Sequence, residues 1–149
     1  MKKNLLLLFV LLFLSTHISI AKNAEKFLDR FAGEKQVELV SLSGSLLKSF
    51  KNSLNESSAT FESLKVLMLK SCDDKIKKQF EKEVEKLKLD GYETLVRKNG
   101  DDETVIVNVK IEDDTVKSLF VAKTGSEPLL VLIKGNIHKS EINSVVANF

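Results

Sequence analysis

Cys72 is the single cysteine of this 149-residue chain, and only two histidines accompany it. The thiol lies where the apolar run LKVLML (residues 64–69) gives way to a charged helical pattern. At such a junction, backbone N–H groups and the helix dipole stabilise a thiolate. Asp73 and Asp74 follow at once, however, and two carboxylates oppose a further negative charge. A nucleophilic cysteine needs a base or a cation beside it, and His138 is the one histidine outside the apolar N-terminal stretch. Cys72 and His138 are therefore the candidate catalytic residues, and they would make a thiol enzyme or a redox sensor. The competing reading makes Cys72 a small residue beside a helix start and His138 an exposed or capping residue.

Other chemistries find less to work with. A zinc site needs three or four His, Cys or carboxylate ligands at compact spacing, and no such cluster exists in the sequence. Asp101, Asp102 and Glu103, and likewise Glu112, Asp113 and Asp114, form acidic tips without the alternating ligand pattern of a calcium loop, so they read as solvated turns. The glycines are too dispersed to cradle a phosphate, and no Gly-x-Ser-x-Gly elbow occurs. No metal and no cofactor is expected.

The elements that must position these residues follow a leader. Lys2 and Lys3 precede an unbroken apolar run, Leu5 to Leu14, and a small-x-small site at Ser19 and Ala21. This is a secretory signal layout over residues 1–21, too short to cross a bilayer comfortably. Retention as an anchor is the alternative. No cysteine adjoins Ala21, so a lipoprotein is not indicated. The chain carries 23 basic and 21 acidic residues; loss of Lys2 and Lys3 with the leader leaves 21 of each. A neutral exported chain is not a nucleic-acid binder held by bulk charge, and its membrane contact is confined to the leader.

Residues 22–149 read as a single domain. Ala24, Phe27, Leu28, Phe31 and Ala32 fall on one face of a helix ending at Gly33. A strand follows in QVELVSL, then a helix through Leu46, Leu47, Phe50 and Leu54, then a polar loop with an Asn-x-Ser sequon at Asn55. Residues 64–69 make a strand apolar on both faces. Ser71 and Asp74 resemble a capping arrangement for a helix through Ile76, Phe80, Val84 and Leu87 that stops at Gly91. Asn99-Gly100 signals a tight hairpin, the residues 112–114 another turn, and TGSEP a third. Ile142, Val145, Val146 and Phe149 mark a last short helix. The order predicts an α+β fold: a mixed sheet of about six strands, β-α-β-α and then an antiparallel meander, with three to four helices packed on it. Should every helix cover one face, the apolar mid-sheet side chains of the other would form an exposed patch for a partner or ligand.

Taken together, FLDRFAG (27–33), VELVSLSGSLL (37–47), SLKVLML (63–69), GYETLV (91–96), VKSLFVA (116–122) and LLVLIKGNI (129–137) resemble, in order, the small exported proteins of Bacteroidota grouped as domain of unknown function 4252. The likeness implies a signal-bearing single domain with no assigned activity, cofactor or catalytic residue. It also implies, by association with neighbouring sigma-factor regulators, a role in envelope signalling. A cysteine at position 72 is not part of that pattern. The expectation is thus a non-enzymatic exported, periplasmic domain that binds a protein or an envelope component. The alternatives are a thiol enzyme or sensor using Cys72, and a binder of a small apolar ligand.

Overall fold

A computed structural model describes residues 23–51 and 60–143. The leader, Leu54, the Asn55 sequon, and Val145, Val146 and Phe149 lie outside the described residues. Helix α1 (Ala24–Ala32) begins at Asn23, whose side chain accepts the Glu25 N–H at 2.8 Å, as a helix start requires. Phe27, Leu28 and Phe31 are buried along one stripe of it. Strand β1 (Glu38–Ser43), helix α2 (Gly44–Lys51) and strand β2 (Thr60–Met68) follow, then helix α3 (Asp74–Glu85) and strands β3 (Glu93–Asn99), β4 (Thr104–Glu112), β5 (Thr115–Lys123) and β6 (Leu129–His138).

The six strands form one sheet in the order β1-β2-β6-β5-β4-β3, which gives the expected α+β class. Every neighbouring pair is antiparallel, so the sheet is not mixed. The reason lies in the β1-α2-β2 segment: it closes as a hairpin with an inserted helix rather than as a crossover between parallel strands.

Several boundaries fall elsewhere than local pattern places them. The cap of α3 is Asp73, which accepts the Ile76 N–H at 3.0 Å, not Ser71. Cys72 N–H bonds to Leu69 O at 3.1 Å and holds Ser71 in a turn ahead of the helix. The same helix ends at Glu85 rather than near Gly91. Leu87 and Leu89 are both buried, two apart as in extended chain, and Gly91 (φ 75°) turns this connector into β3. Asn99-Gly100 is not a two-residue turn either. Residues 100–103 form a longer loop closed by Gly100 N–H to Glu103 O at 2.7 Å. The turn with two left-handed residues falls on Asp113 (φ 49°) and Asp114 (φ 60°), whose short polar side chains tolerate that region.

Two apolar clusters sandwich the sheet. On one face α1 and α3 pack over Leu67, Ile106, Phe120, Ala122, Leu130 and Leu132. On the other, Val107, Val109, Leu119, Val121, Val131 and Ile133 line up across β4, β5 and β6, and Ile142 is the one described residue of that cluster from outside the sheet. The mid-sheet side chains there are nonetheless closed to solvent, Val121 at 1% and Val131 at 2% exposed. The open apolar surface sits instead at the sheet's edges.

Candidate functional site

Cys72 is buried, 6% exposed, in the helix-side cluster, and its thiol donates to Lys35 O at 3.5 Å. Burial pushes its pKa above the ordinary 9.0, and the charge of Asp73 pushes the same way. His138 is exposed at the far end of β6. Leu69, beside Cys72, bonds to Pro128 just before β6 begins, so the length of that strand separates the two side chains, on the order of 30 Å at ~3.3 Å per residue. The structure does not bring them together. A thiol raised in this way contributes stability that is present below the unfolded thiol's pKa and is lost as pH rises through the folded value. We expect iodoacetamide at pH 7 to label Cys72 in the folded protein about tenfold or more slowly than in the urea-unfolded chain. Equal rates would refute the buried, protonated thiol.

The acidic tips lie at opposite ends of β4. Glu103 faces Lys123 at 3.3 Å and Asp114 faces Lys139 at 2.9 Å. The Lys139 ammonium holds the Asp114 carboxyl below its usual range. No group of three or more His, Cys, Asp or Glu among the described residues is placed to hold a metal ion.

A cleft of about 610 Å³ opens beside the start of α1 and the ends of β4, β5 and β6. Its chemistry is polar. Lys134 pairs with Glu25 at 2.5 Å, Lys117 donates to Asn136 at 2.5 Å, and the Tyr92 hydroxyl donates to Ser118 at 2.7 Å. These groups answer one another across the cleft, and the lining offers no apolar wall for a greasy ligand.

The feature that remains is the sheet edge formed by β1. No strand lies beyond it among the described residues, so one row of its backbone N–H and C=O groups faces outward. Its pairing with β2 runs unbroken from Glu38↔Met68 to Ser43↔Ser63. Leu39, opposite Leu67, lies on the helix side of the sheet, and Val40, opposite Val66, on the other. They are 46% and 43% exposed, and Leu46 of α2 adds a third open side chain at 53%. Glu38 is the only charge in the strand. The far edge, β3, differs. It also shows Leu95 and Val96, but it carries Glu93, Arg97 and Lys98 and a register shift between Thr94 and Val96. Charges and bulges are what keep edge strands from pairing. Among the described residues, one edge is guarded and the other is not. Sequence reading found β1 as a strand but gave it no role, because whether a strand is an edge depends on pairing order. The one legible signal was the lack of charge in LVSLS.

Among the described residues, an antiparallel sheet with two helices on one face and one unpaired, nearly uncharged edge strand defines a small α+β domain. The chain belongs to the family described as domain of unknown function (DUF4252), whose model matches residues 31–145, from the end of α1 to beyond Ile142. No curated protein and no solved structure matched the chain.

Proposed function

We propose that this is an exported, non-enzymatic binding domain of the cell envelope that works by associating with another polypeptide through β1. The observation that carries the reading is the contrast between the two sheet edges. A strand whose one charge sits at its end, unbulged and with open Leu39 and Val40, is built to accept one more strand, main chain giving affinity and the alternate side chains giving selectivity. Support for association over thiol chemistry comes from Cys72, whose burial and raised pKa suit packing. Export rests on the leader of residues 1–21, and a part in envelope signalling is the family-level expectation.

A photo-reactive side chain placed at Val40 and, separately, at Val96 tests this in the native envelope. Val40 is expected to give a protein adduct and Val96 none. Failure of Val40 to capture any protein, or equal adducts at the two edges, overturns the reading.

A further inference from the structure

We infer that the strand which β1 receives is β1 of a second copy of this chain, so that two six-stranded sheets join edge to edge about a two-fold axis. The inference rests on the reading of β1 as an association edge and names its partner. Four observations carry it.

First, the edge suits a strand with almost no charge, and ELVSLS is itself such a strand. Second, two copies of β1 related by a two-fold normal to the sheet run antiparallel, and residues of like parity then oppose each other. Val40 and Leu42 meet their own kind on one face of the joined sheet. Centred on Ser41, the pairing sets Val40 against Leu42 on that face and Ser41 against Ser41 on the other, with Leu39 against Ser43; apolar pairs and hydroxyl pairs across strands are favourable. Third, the single charge falls at the end of the strand. In that register the two Glu38 carboxylates stand six residues apart along the strand, roughly 20 Å at ~3.4 Å per residue and beyond the ~8 Å screening length. Fourth, the residues after Ala21 carry equal numbers of acids and bases, so two copies approach without net repulsion.

The guarded β3 edge also explains why assembly stops at two. Head-to-tail pairing of β1 on β3 would extend the assembly into a ring or a filament, and the charges and bulge of β3 oppose it. Leu46, at the start of α2 immediately after β1, adds apolar area at the rim of the same interface.

The test uses the purified chain from residue 22 onward in analytical ultracentrifugation, alongside Val40→Lys, Leu39→Lys and the far-edge control Val96→Lys. Wild type and Val96→Lys are expected at twice the chain mass, and each β1 variant at once the chain mass with an unchanged far-UV circular dichroism spectrum. A monomeric wild type at its highest soluble concentration overturns the inference. So does a dimer that persists in both β1 variants. The photo-adduct at Val40 separates this failure from that of the wider reading. An adduct with a different protein leaves the edge as an association site but removes the second copy, whereas no adduct removes the edge itself.

Discussion

Phe80→Ala is expected to cost about 3–5 kcal/mol of folding stability, the range for deleting a buried aromatic ring. Phe80 is fully buried on α3, and its ring meets Phe31 edge-on at 5.1 Å and 89°. Phe27 joins them at 6.2 Å from Phe80 and 5.9 Å from Phe120 of the sheet. Four rings thus connect α1, α3 and β5, and such tilted and edge-to-face pairs add to the burial of their area. Removing the Phe80 ring leaves a void bordered by Phe27 and Phe31, a large loss against the ~5–15 kcal/mol that holds an ordinary domain folded. Urea unfolding followed by circular dichroism reads the change, with Leu95→Ala on the exposed edge as a control expected within about 0.5 kcal/mol. A loss below about 1 kcal/mol in Phe80→Ala would mean that the helices do not depend on this cluster.

Gly135→Ala is expected to be nearly as damaging, through backbone rather than volume. Gly135 lies in β6 opposite Phe61, where the β2–β6 register shifts between Phe61 and Ser63. A β-carbon at 135 would stand 2.1 Å from Thr60 O and 3.0 Å from the Phe61 Cα. Those are main-chain atoms with no rotamer to change, so the strands must part locally. Overpacking of this kind costs about 3 kcal/mol. Amide exchange should show protection falling along β2 and β1 before the rest of the sheet. A variant as stable as the wild type would show that the two strands do not approach so closely.

Much of the fold could be read from spacing alone, since burial in it follows periodicity. The stripe Phe27, Leu28, Phe31 marked α1 to the residue. Val105, Val107 and Val109 alternate along β4, and residues 129–133 are apolar throughout, as β6, with a cluster on each face, requires. What escaped was non-local. Antiparallel closure of β1 on β2 depends on which strands meet, and no local pattern encodes that. The end of α3 was misplaced since Leu87 fits a helical face as well as an extended one. Asn99-Gly100 carries the sequence of a tight turn, but the Thr104–Thr124 pairing, with Thr124 Oγ1 accepting the Thr104 N–H at 2.9 Å, shapes the loop beside it. The candidate site was illegible for the same reason. Cys72 and His138 drew notice by residue type, whereas the β1 edge is defined by what does not lie next to it.

The strand order has a kinetic consequence. β3, β4, β5 and β6 are neighbours in chain order, joined by connections of two to five residues, so this half of the sheet can zip up locally. β2 must find β6 across 63 positions, as in Leu67↔Leu130, and closing so long a loop makes that encounter late. Until it happens the outer edge of β6 is bare along its whole length. A newly made chain therefore passes through an interval in which the hairpin of one molecule can be captured by another, and the speed of that last docking step sets how much of it survives as a correctly assembled product.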